Sequence, residues 1–401
     1  MNKKLIVVAL AGLMAAPVVA EEQLFPGGDV QVETILAMQL AGLPAIELDD
    51  AQYVLSGALL NEDWSAFFTQ RVPALVDYQD VIMHWSGIAS INPKLLVALI
   101  EHQSQMLSTP EKADLQRPFG NLSDALVFSE QVRDIAGQLS RRFYAYQHLQ
   151  AETDKVSLPV SSATLALASL LQKNSAKPFN KDNAKLSADH AQPLRDFLAT
   201  YKRLFDGPRE SVLLTDSEAK AESGDQQIQA FSMNLPWSSG YAWYSGGAHS
   251  NTGSGYPYSS LDFNNGSGGW GSNTPWVQAA HAGTVSRYSS CNIRITHASG
   301  YATNYYHMSS LQYQSGDYVA AGAYIGRYAS NYNQALCQGG QSSGPHVHFS
   351  LLYNGQYVSL HNRYISGYRV DVGNYNYDTN CYNFYFERNG QKTCAWYPLY
   401  R

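Results

Sequence analysis

The feature that most constrains the fold of this chain is a change of sequence character near residue 230. Before it, apolar residues recur at the three- and four-residue spacing of helices; beyond it, short β-like runs rich in Tyr, Ser, Gly and Asn are separated by turn residues. Between them, the acidic stretch from Asp206 to Gln227 contains Gly and Pro and predicts an exposed linker. A chain of 401 residues also exceeds what one core usually serves, so we expect at least two domains.

The N-terminal region is predicted to be helical. The clearest helix begins at Asn92-Pro93, because Asn is a good cap and Pro suits the first helical position. Ser161–Leu171 and Pro193–Phe205 are also predicted helices. The run that begins at Asn92 and ends at Ser104 resembles the catalytic helix of lysozyme-like lytic transglycosylases, in which a Glu stands directly before the Ser. Here that position is Gln103, and an amide cannot donate a proton as a general acid, so we do not expect glycosidase chemistry.

The C-terminal region is predicted to be an all-β domain. From Ser232 on it is poor in charge, and Gly or Asn turns separate runs with strand character. The predicted strands include Thr284–Tyr288, Asn292–Thr296, Ala302–Tyr306, Val347–Leu352 and Tyr368–Val372. We therefore expect a mainly β fold, an antiparallel sheet with loops around it, preceded by a largely α-helical segment.

The first twenty residues predict a secretory signal. Lys3 and Lys4 precede a short apolar run, and Val18 and Ala20 give the small-residue pattern of a cleavage site. The apolar run is shorter than the roughly 20 residues that span a bilayer, and no later segment is long and apolar enough. We expect an exported, extracellular protein without a membrane anchor.

Charge and cysteines are distributed unevenly. Residues 21–226 hold 17 basic and 28 acidic residues, whereas residues 227–401 hold 8 basic and 5 acidic ones, which suggests two parts that attract each other. All four cysteines lie in the second part, and in an exported chain they predict disulfides. Of the three possible pairings we favour Cys291–Cys337 with Cys381–Cys394. A thiolate zinc site is the less favoured alternative, because there is no Cys-x-x-Cys pair.

Seven of the eleven histidines lie in the β region, and three patterns among them indicate a metal site. His346 and His348 stand two apart after a Gly-Pro turn, so on a strand both side chains share one face. A flexible Gly/Ser loop separates His249 from Asp262. Asp262 stands between the apolar residues Leu261 and Phe263, and a bound metal would offset the free-energy cost of burying its charge. A third predicted strand ends in His307.

These patterns, Gly-Gly-Ala-His249 with Asp262, Asn-Tyr-Tyr-His307 and Gly-Pro-His346-x-His348, together resemble the lysostaphin-type zinc endopeptidases, in particular the staphylolysin/β-lytic branch. The resemblance covers about residues 232 to 401. It implies one zinc ion per chain, held by His249, Asp262 and His348, with His307 and His346 as catalytic histidines. Which of these two takes which part stays open. Tyr377 could line the cleft, whereas His281, His297 and His361 are expected to be structural.

The residues account for such chemistry by themselves. Three protein ligands leave zinc a fourth position for water, as in catalytic zinc sites. Zinc lowers the pKa of water to near 7 and polarises the scissile carbonyl. A neighbouring neutral histidine can accept a proton and pass it to the leaving amine, and a second can hydrogen-bond the developing oxyanion.

The resemblance also implies the domain order and the substrate. We expect a signal peptide over residues 1–20, a propeptide over 21–226 and the zinc peptidase domain over 227–401. The propeptide would cover the cleft until it is cut near residues 223 to 232. Relatives prefer Gly-Gly bonds, so we expect peptidoglycan cross-bridges and glycine-rich proteins as substrates, cleaved by a monomer that binds no nucleic acid. The alternatives are a non-enzymatic wall-binding or activator protein and a structural exported protein.

Overall fold

The computed structural model describes residues 24–25, 48–111, 113–114, 116–152, 160–172, 191–205 and 231–401. The predicted signal segment, the predicted linker and most of the expected processing region lie outside the described residues. Within the described ranges, no helix combines the length and the apolar character needed to cross a bilayer.

The described N-terminal residues form long helices joined by shorter turns. The long helices are α1 (Gln79–Ala89), α2 (Pro93–Ser104), α3 (Phe128–Glu152), α4 (Ser162–Leu171) and α5 (Gln192–Phe205). Short helical turns span Asp50–Tyr53, Gly57–Asn61, Trp64–Ala66, Phe67–Arg71, Pro73–Tyr78 and Gly120–Leu122. The three predicted helices are confirmed. Helix α2 begins as expected: the Asn92 side chain accepts a hydrogen bond from the Lys94 amide, and Pro93 is the first helical residue.

The residues from 231 on form strands, as predicted. They are β1 (Ala242–Ser245), β2 (Ser260–Asn264), β3 (Trp276–Gln278), β4 (Gly283–Arg287), β5 (Ile293–Thr296), β6 (Tyr301–Tyr306), β7 (Met308–Ser309), β8 (Tyr318–Val319), β9 (Tyr324–Tyr328), β10 (Val347–Tyr353), β11 (Gln356–Tyr357), β12 (Tyr364–Ile365), β13 (Tyr368–Val372), β14 (Phe384–Arg388), β15 (Gln391–Cys394) and β16 (Leu399–Tyr400). A short helix, α6 (Tyr332–Ala335), precedes β10.

The largest sheet has the strand order β16-β1-β2-β10-β6-β5-β4-β8, with β11 beside the end of β10. Two smaller sheets run β12-β13-β14-β15 and β3-β9-β7. The strand pairs within the three sheets are antiparallel, which confirms the predicted fold class. Strand β10 lies in the middle of the largest sheet, between β2 and β6, so residues on three strands can meet there.

The two faces of this sheet have different partners. On β10, Val347, Phe349 and Leu351 belong to the hydrophobic core of the β domain; we call this side the core face. The opposite side, which carries His348 and Ser350, is the site face, and its Leu352 is buried in the core of the helical region. The β domain therefore buries the core face, and the helical region buries part of the site face.

The helical region covers the site face through apolar contacts and hydrogen bonds. Ala302 and Tyr306 of β6, both on the site face, join the helical core. The indole of Trp85 donates to the carbonyl of Gln338 over 3.1 Å, and the Tyr144 hydroxyl accepts the Tyr357 amide over 2.7 Å. The carboxyl end of α1 thus lies on the sheet, directly over the strands that carry the predicted site.

All four cysteines form the two disulfides that were favoured, Cys291–Cys337 and Cys381–Cys394. The Cα atoms are 6.0 Å and 5.0 Å apart, within the usual range. No cysteine is free, which excludes the thiolate zinc alternative. The first disulfide ties the start of β5 to the segment that follows α6.

Candidate metal and catalytic site

Two of the predicted ligands face each other across neighbouring strands. His348 on β10 pairs directly with Asp262 on β2, so the antiparallel register puts both side chains on the site face. Nδ1 of His348 lies 3.0 Å from Oδ1 of Asp262. Nε2 of His346, two residues earlier, lies 3.6 Å from the same oxygen.

The third predicted ligand, His249, reaches the site from the loop before β2. Its backbone exchanges two hydrogen bonds with Ser260, each 3.0 Å, which fixes the loop against the strand. Nε2 of His249 then lies 3.6 Å from Oδ1 of Asp262 and 3.4 Å from Nδ1 of His348. The structure therefore brings His249, Asp262 and His348 together, although twelve residues separate the first two.

The Gly-Gly sequence before His249 is needed for close packing. A Cβ on Gly247 would lie 2.5 Å from the carbonyl carbon of Tyr377, closer than real side chains approach. In that tight contact the ring of Tyr377 stacks on His249, with centroids 4.2 Å apart and planes 10° apart. Tyr377 therefore supports a ligand ring, a position that the sequence suggested only as one of several.

Burial and charge act in opposite directions on Asp262. Burial alone raises the pKa of this carboxyl, but the neighbouring His249 and His346 and the hydrogen bond from His348 outweigh it and lower the pKa to about 2. Asp262 is therefore ionised at neutral pH although only 6% of it is exposed. A buried carboxylate held in its charged form among imidazoles is a suitable ligand for a cation.

The donor set fits zinc. One nitrogen of His249, one of His348 and one oxygen of Asp262 lie within 4.8 Å of one another. Two imidazoles and one carboxylate are typical ligands of zinc, and three protein ligands are the number found in catalytic sites. Within the described ranges one other cluster reaches this spacing, His84 with Cys291 and Cys337, but its sulfurs form a disulfide.

The two predicted catalytic histidines lie beside this cluster. The ring centroids of His307 and His346 are 4.8 Å apart, and those of His307 and His348 are 6.3 Å apart. Nδ1 of His307 lies 2.9 Å from the carbonyl of Ala335, and Nδ1 of His346 lies 2.8 Å from that of Gly344. Because a carbonyl only accepts, both Nδ1 atoms carry a hydrogen, which leaves Nε2 of each neutral ring as a proton acceptor.

His307 is held in an unusual backbone conformation. It follows the last residue of β6 with φ at 61°, in the left-handed region that few residues other than glycine adopt. The Ala329 amide donates to the His307 carbonyl over 2.7 Å, and the Met308 amide donates to the Cys291 carbonyl over 3.0 Å. Contacts on both sides of the chain thus maintain a conformation that turns this side chain toward the site.

The remaining histidines of the β domain, which were expected to be structural, lie outside the cluster. His281 is buried, its Nδ1 donates to the Ala282 carbonyl, and its Nε2 lies 3.0 Å from the Thr303 hydroxyl. Burial lowers the pKa of this ring to about 4. His297 bonds Ser299, and the exposed His361 lies 3.5 Å from Asp371. Sequence reasoning missed Asn376, whose Oδ1 accepts the Ser250 amide over 2.6 Å and so anchors the His249 loop.

Comparison with known proteins is consistent with this geometry. Residues 46–219 match the model of the LasA N-terminal domain, and residues 265–360 match that of peptidase family M23. The second match contains His307, His346 and His348. It begins after Asp262, so the assignment of His249 and Asp262 depends on the geometry described above.

Similar proteins cover both regions. Protease LasA of Pseudomonas aeruginosa is 41% identical over 397 residues, which span 95% of this chain and 91% of that protein. Beta-lytic metalloendopeptidase of Lysobacter enzymogenes is 46% identical over 167 residues, or 41% of this chain and 93% of that protein. The solved structure of pseudoalterin, a deep-sea M23 metalloprotease, is 80% identical and covers 43% of this chain and 99% of that one, with a TM-score of 0.42.

The likeness to LasA extends through the helical and the β region, and the M23 match includes three of the five residues of the site. The chain therefore belongs to peptidase family M23, as a zinc metallopeptidase with a LasA-type N-terminal domain.

Proposed function

We propose that this protein is secreted and processed to a zinc endopeptidase that hydrolyses Gly-Gly bonds in peptidoglycan cross-bridges and so lyses bacteria. Glycine-rich proteins of the elastin type are proposed as further, poorer substrates. The observation that carries the proposal is the convergence of His249, Asp262 and His348 on one point of the sheet. The names of the similar proteins, LasA and beta-lytic metalloendopeptidase, support the same class of substrate.

His249, Asp262 and His348 would hold one zinc ion, with Tyr377 and the Gly247 carbonyl orienting the ring of His249. Zinc in such a site supplies a Lewis acid for the scissile carbonyl and lowers the pKa of water to near 7. His307 and His346 would divide two tasks between them. One Nε2 accepts the proton of the attacking water and passes it to the leaving amine, and the other ring hydrogen-bonds the developing oxyanion.

We also propose that the chain is made as an inactive precursor. The helical region lies on the site face, and the ring of His84 in α1 is 5.3 Å from that of Tyr306, the residue before His307. A substrate needs an open groove along this face, which the helices occupy. Cleavage of the linker would let them leave.

The decisive experiment uses the full-length precursor, cut in the linker by an added protease. We expect about one zinc per chain and hydrolysis of pentaglycine. His348→Ala should lose the zinc and lower activity by more than about a thousandfold, because several kcal/mol of transition-state stabilisation depend on the ion. His361→Ala, a histidine in an exposed loop of the same domain, is the matched control and should keep both.

Each other outcome has a definite meaning. Zinc bound without cleavage of any glycine peptide would favour the wall-binding alternative. No zinc in the wild-type protein would show that the three-ligand assignment is wrong. A precursor as active as the cut form would refute the inhibitory role of the helical region.

A further inference from the structure

We propose that Arg294, Asn251 and Tyr357 bind backbone carbonyl groups of the extended glycine-rich substrate, several residues from the scissile bond. In the precursor, carbonyl groups of the helical region occupy the same positions. The proposal rests on the function proposed above and adds a binding subsite to it. We call these three residues the carbonyl row.

The carbonyl row receives main-chain oxygens from the last turn of α1 and from Leu55, which follows the helical turn Asp50–Tyr53. The guanidinium of Arg294 donates to the carbonyls of Gly87, over 2.9 Å, and Leu55, over 3.2 Å. The Tyr357 hydroxyl donates to the carbonyl of Ile88 over 2.6 Å, and the Asn251 amide donates to the same oxygen over 3.3 Å. Two main-chain carbonyls of α1, those of Gly87 and Ile88, are thus bound by side chains of the β domain. In an extended peptide successive carbonyls point to opposite sides, so alternate residues would supply the two carbonyls.

The register of the sheet places this row near the metal site and on the same face. Arg294 pairs with Asn304, and Asn304 pairs with Ser350, two residues after His348. Two strand spacings and two residues put Arg294 about 12 Å from His348. An extended peptide rises about 3.3 Å per residue, so the row lies within three or four residues of the scissile bond.

Burying the charge of Arg294 costs free energy, which is unexpected for a surface that serves only to hold the helices. Arg294 is 1% exposed and lies over the ring of Tyr288, with its Cζ 5.1 Å from the centroid. Among the described residues it has no carboxylate partner. A buried cation without a carboxylate partner stabilises an interface no better than an apolar residue of similar volume. Its presence is explained if it also binds peptide carbonyls after the helices have left.

The wall beside Arg294 accepts a backbone without a side chain. A Cβ on Gly87 would lie 2.5 Å from Cγ of Tyr288 and 3.0 Å from its Cβ, so this contact requires glycine. The β domain therefore selects glycine at the position where Arg294 binds a carbonyl. Glycine-rich peptides meet the same requirement, whereas a bulkier residue would collide with the Tyr288 ring.

The test compares peptide lengths on Arg294→Gln, made in the full chain and cut in the linker. For hexaglycine we expect KM to rise about ten- to hundredfold with kcat nearly unchanged, since a charged hydrogen bond to the peptide is lost. Triglycine, which is too short to span from the metal site to the row, should be cleaved as by wild type. Arg363→Gln is the matched control, because that arginine is exposed and bonds Tyr301, whose side chain is on the core face.

Zinc content and circular dichroism establish that the variant is folded. Tyr357→Phe, which removes one hydroxyl, is the second variant and decides if Arg294→Gln does not fold; it should raise the KM for hexaglycine and not for triglycine. An unchanged KM for hexaglycine in a folded, zinc-containing variant would overturn the carbonyl row. Wild-type enzyme that cleaves neither peptide would instead refute the proposed function itself.

Discussion

The two faces of the central sheet pack against different regions of the molecule. The core face of β10, with Val347, Phe349 and Leu351, packs into the β domain and stays buried whether or not the helical region is present. On the site face, Leu352 is buried in the core of the helical region, whereas His348 and Ser350 contact other residues of the β domain. Alternate residues of one strand therefore serve a permanent core and a replaceable interface.

Two substitutions on β10 test the difference between the core face and the site face. Phe349→Ala should destabilise the precursor and the cut, helix-free enzyme alike, by about 3–5 kcal/mol, because its cavity lies in the permanent core. Leu352→Ala should destabilise the precursor by about 2–5 kcal/mol and the helix-free enzyme much less, since Leu352 then faces solvent. Denaturant unfolding of both forms measures this. Equal losses for Leu352→Ala in both forms would contradict the difference between the faces.

The interface itself can be weakened from the helical side. Gly87→Ala forces a methyl group against Tyr288, an overpacking that should cost about 1–3 kcal/mol and leave the β domain unaltered. The uncut precursor should then show about five- to 150-fold more activity on pentaglycine than the wild-type precursor. Gly269→Ala, where a Cβ would have no heavy atom within 4 Å, is the control. Unchanged precursor activity would mean that the helices do not limit access through this contact.

The difference between the two forms should also depend on pH. Burial, helped by nearby His307, lowers the pKa of His84 to about 3, and its Nδ1 bonds Ser289 of the β domain over 2.8 Å. Below pH 6.5 the unfolded chain binds a proton that the folded precursor does not, so stability is full above pH 6.5 and falls as the pH drops toward 3.

Between pH 7 and 5 this loss amounts to about 2 kcal/mol. His281 titrates in a similar way but belongs to both forms, so the precursor should lose more stability on acidification than the helix-free enzyme. Unfolding of both forms at pH 7 and 5 measures the difference. His84→Gln should remove most of it and leave the contribution of His102 in α2, whose pKa burial also lowers. A precursor with the same pH dependence as the helix-free enzyme would count against His84.

Most local structure could be predicted from the sequence, because it depends on short-range patterns. The cap at Asn92-Pro93 and the strand Tyr368–Val372 lie where their patterns put them. Alternation on β10 correctly separated His346 and His348 from Val347 and Phe349. The three predicted ligands, His249, Asp262 and His348, came from the resemblance of their spacing and order to a known family, and the structure brings them together.

The contacts across the molecule could not be predicted in this way. The stacking of Tyr377 on His249, the Asn376 anchor and the left-handed turn at His307 join segments that are distant in the chain or depend on several neighbours at once. No sequence pattern distinguishes Arg294, because an arginine in an alternating strand is ordinary on an exposed face. Only the covered face makes it unusual.

The sequence by itself determined the helical and β regions and the paired cysteines, since periodicity and residue chemistry are local properties, and its resemblance to a known family supplied the predicted zinc ligands. The tertiary structure decided which face the helices cover and which groups they touch there. Those properties follow from strand register and from the fit of two surfaces, where a contact such as Gly87 against Tyr288 joins residues 201 positions apart. No sequence pattern around either residue of such a contact predicts the other residue.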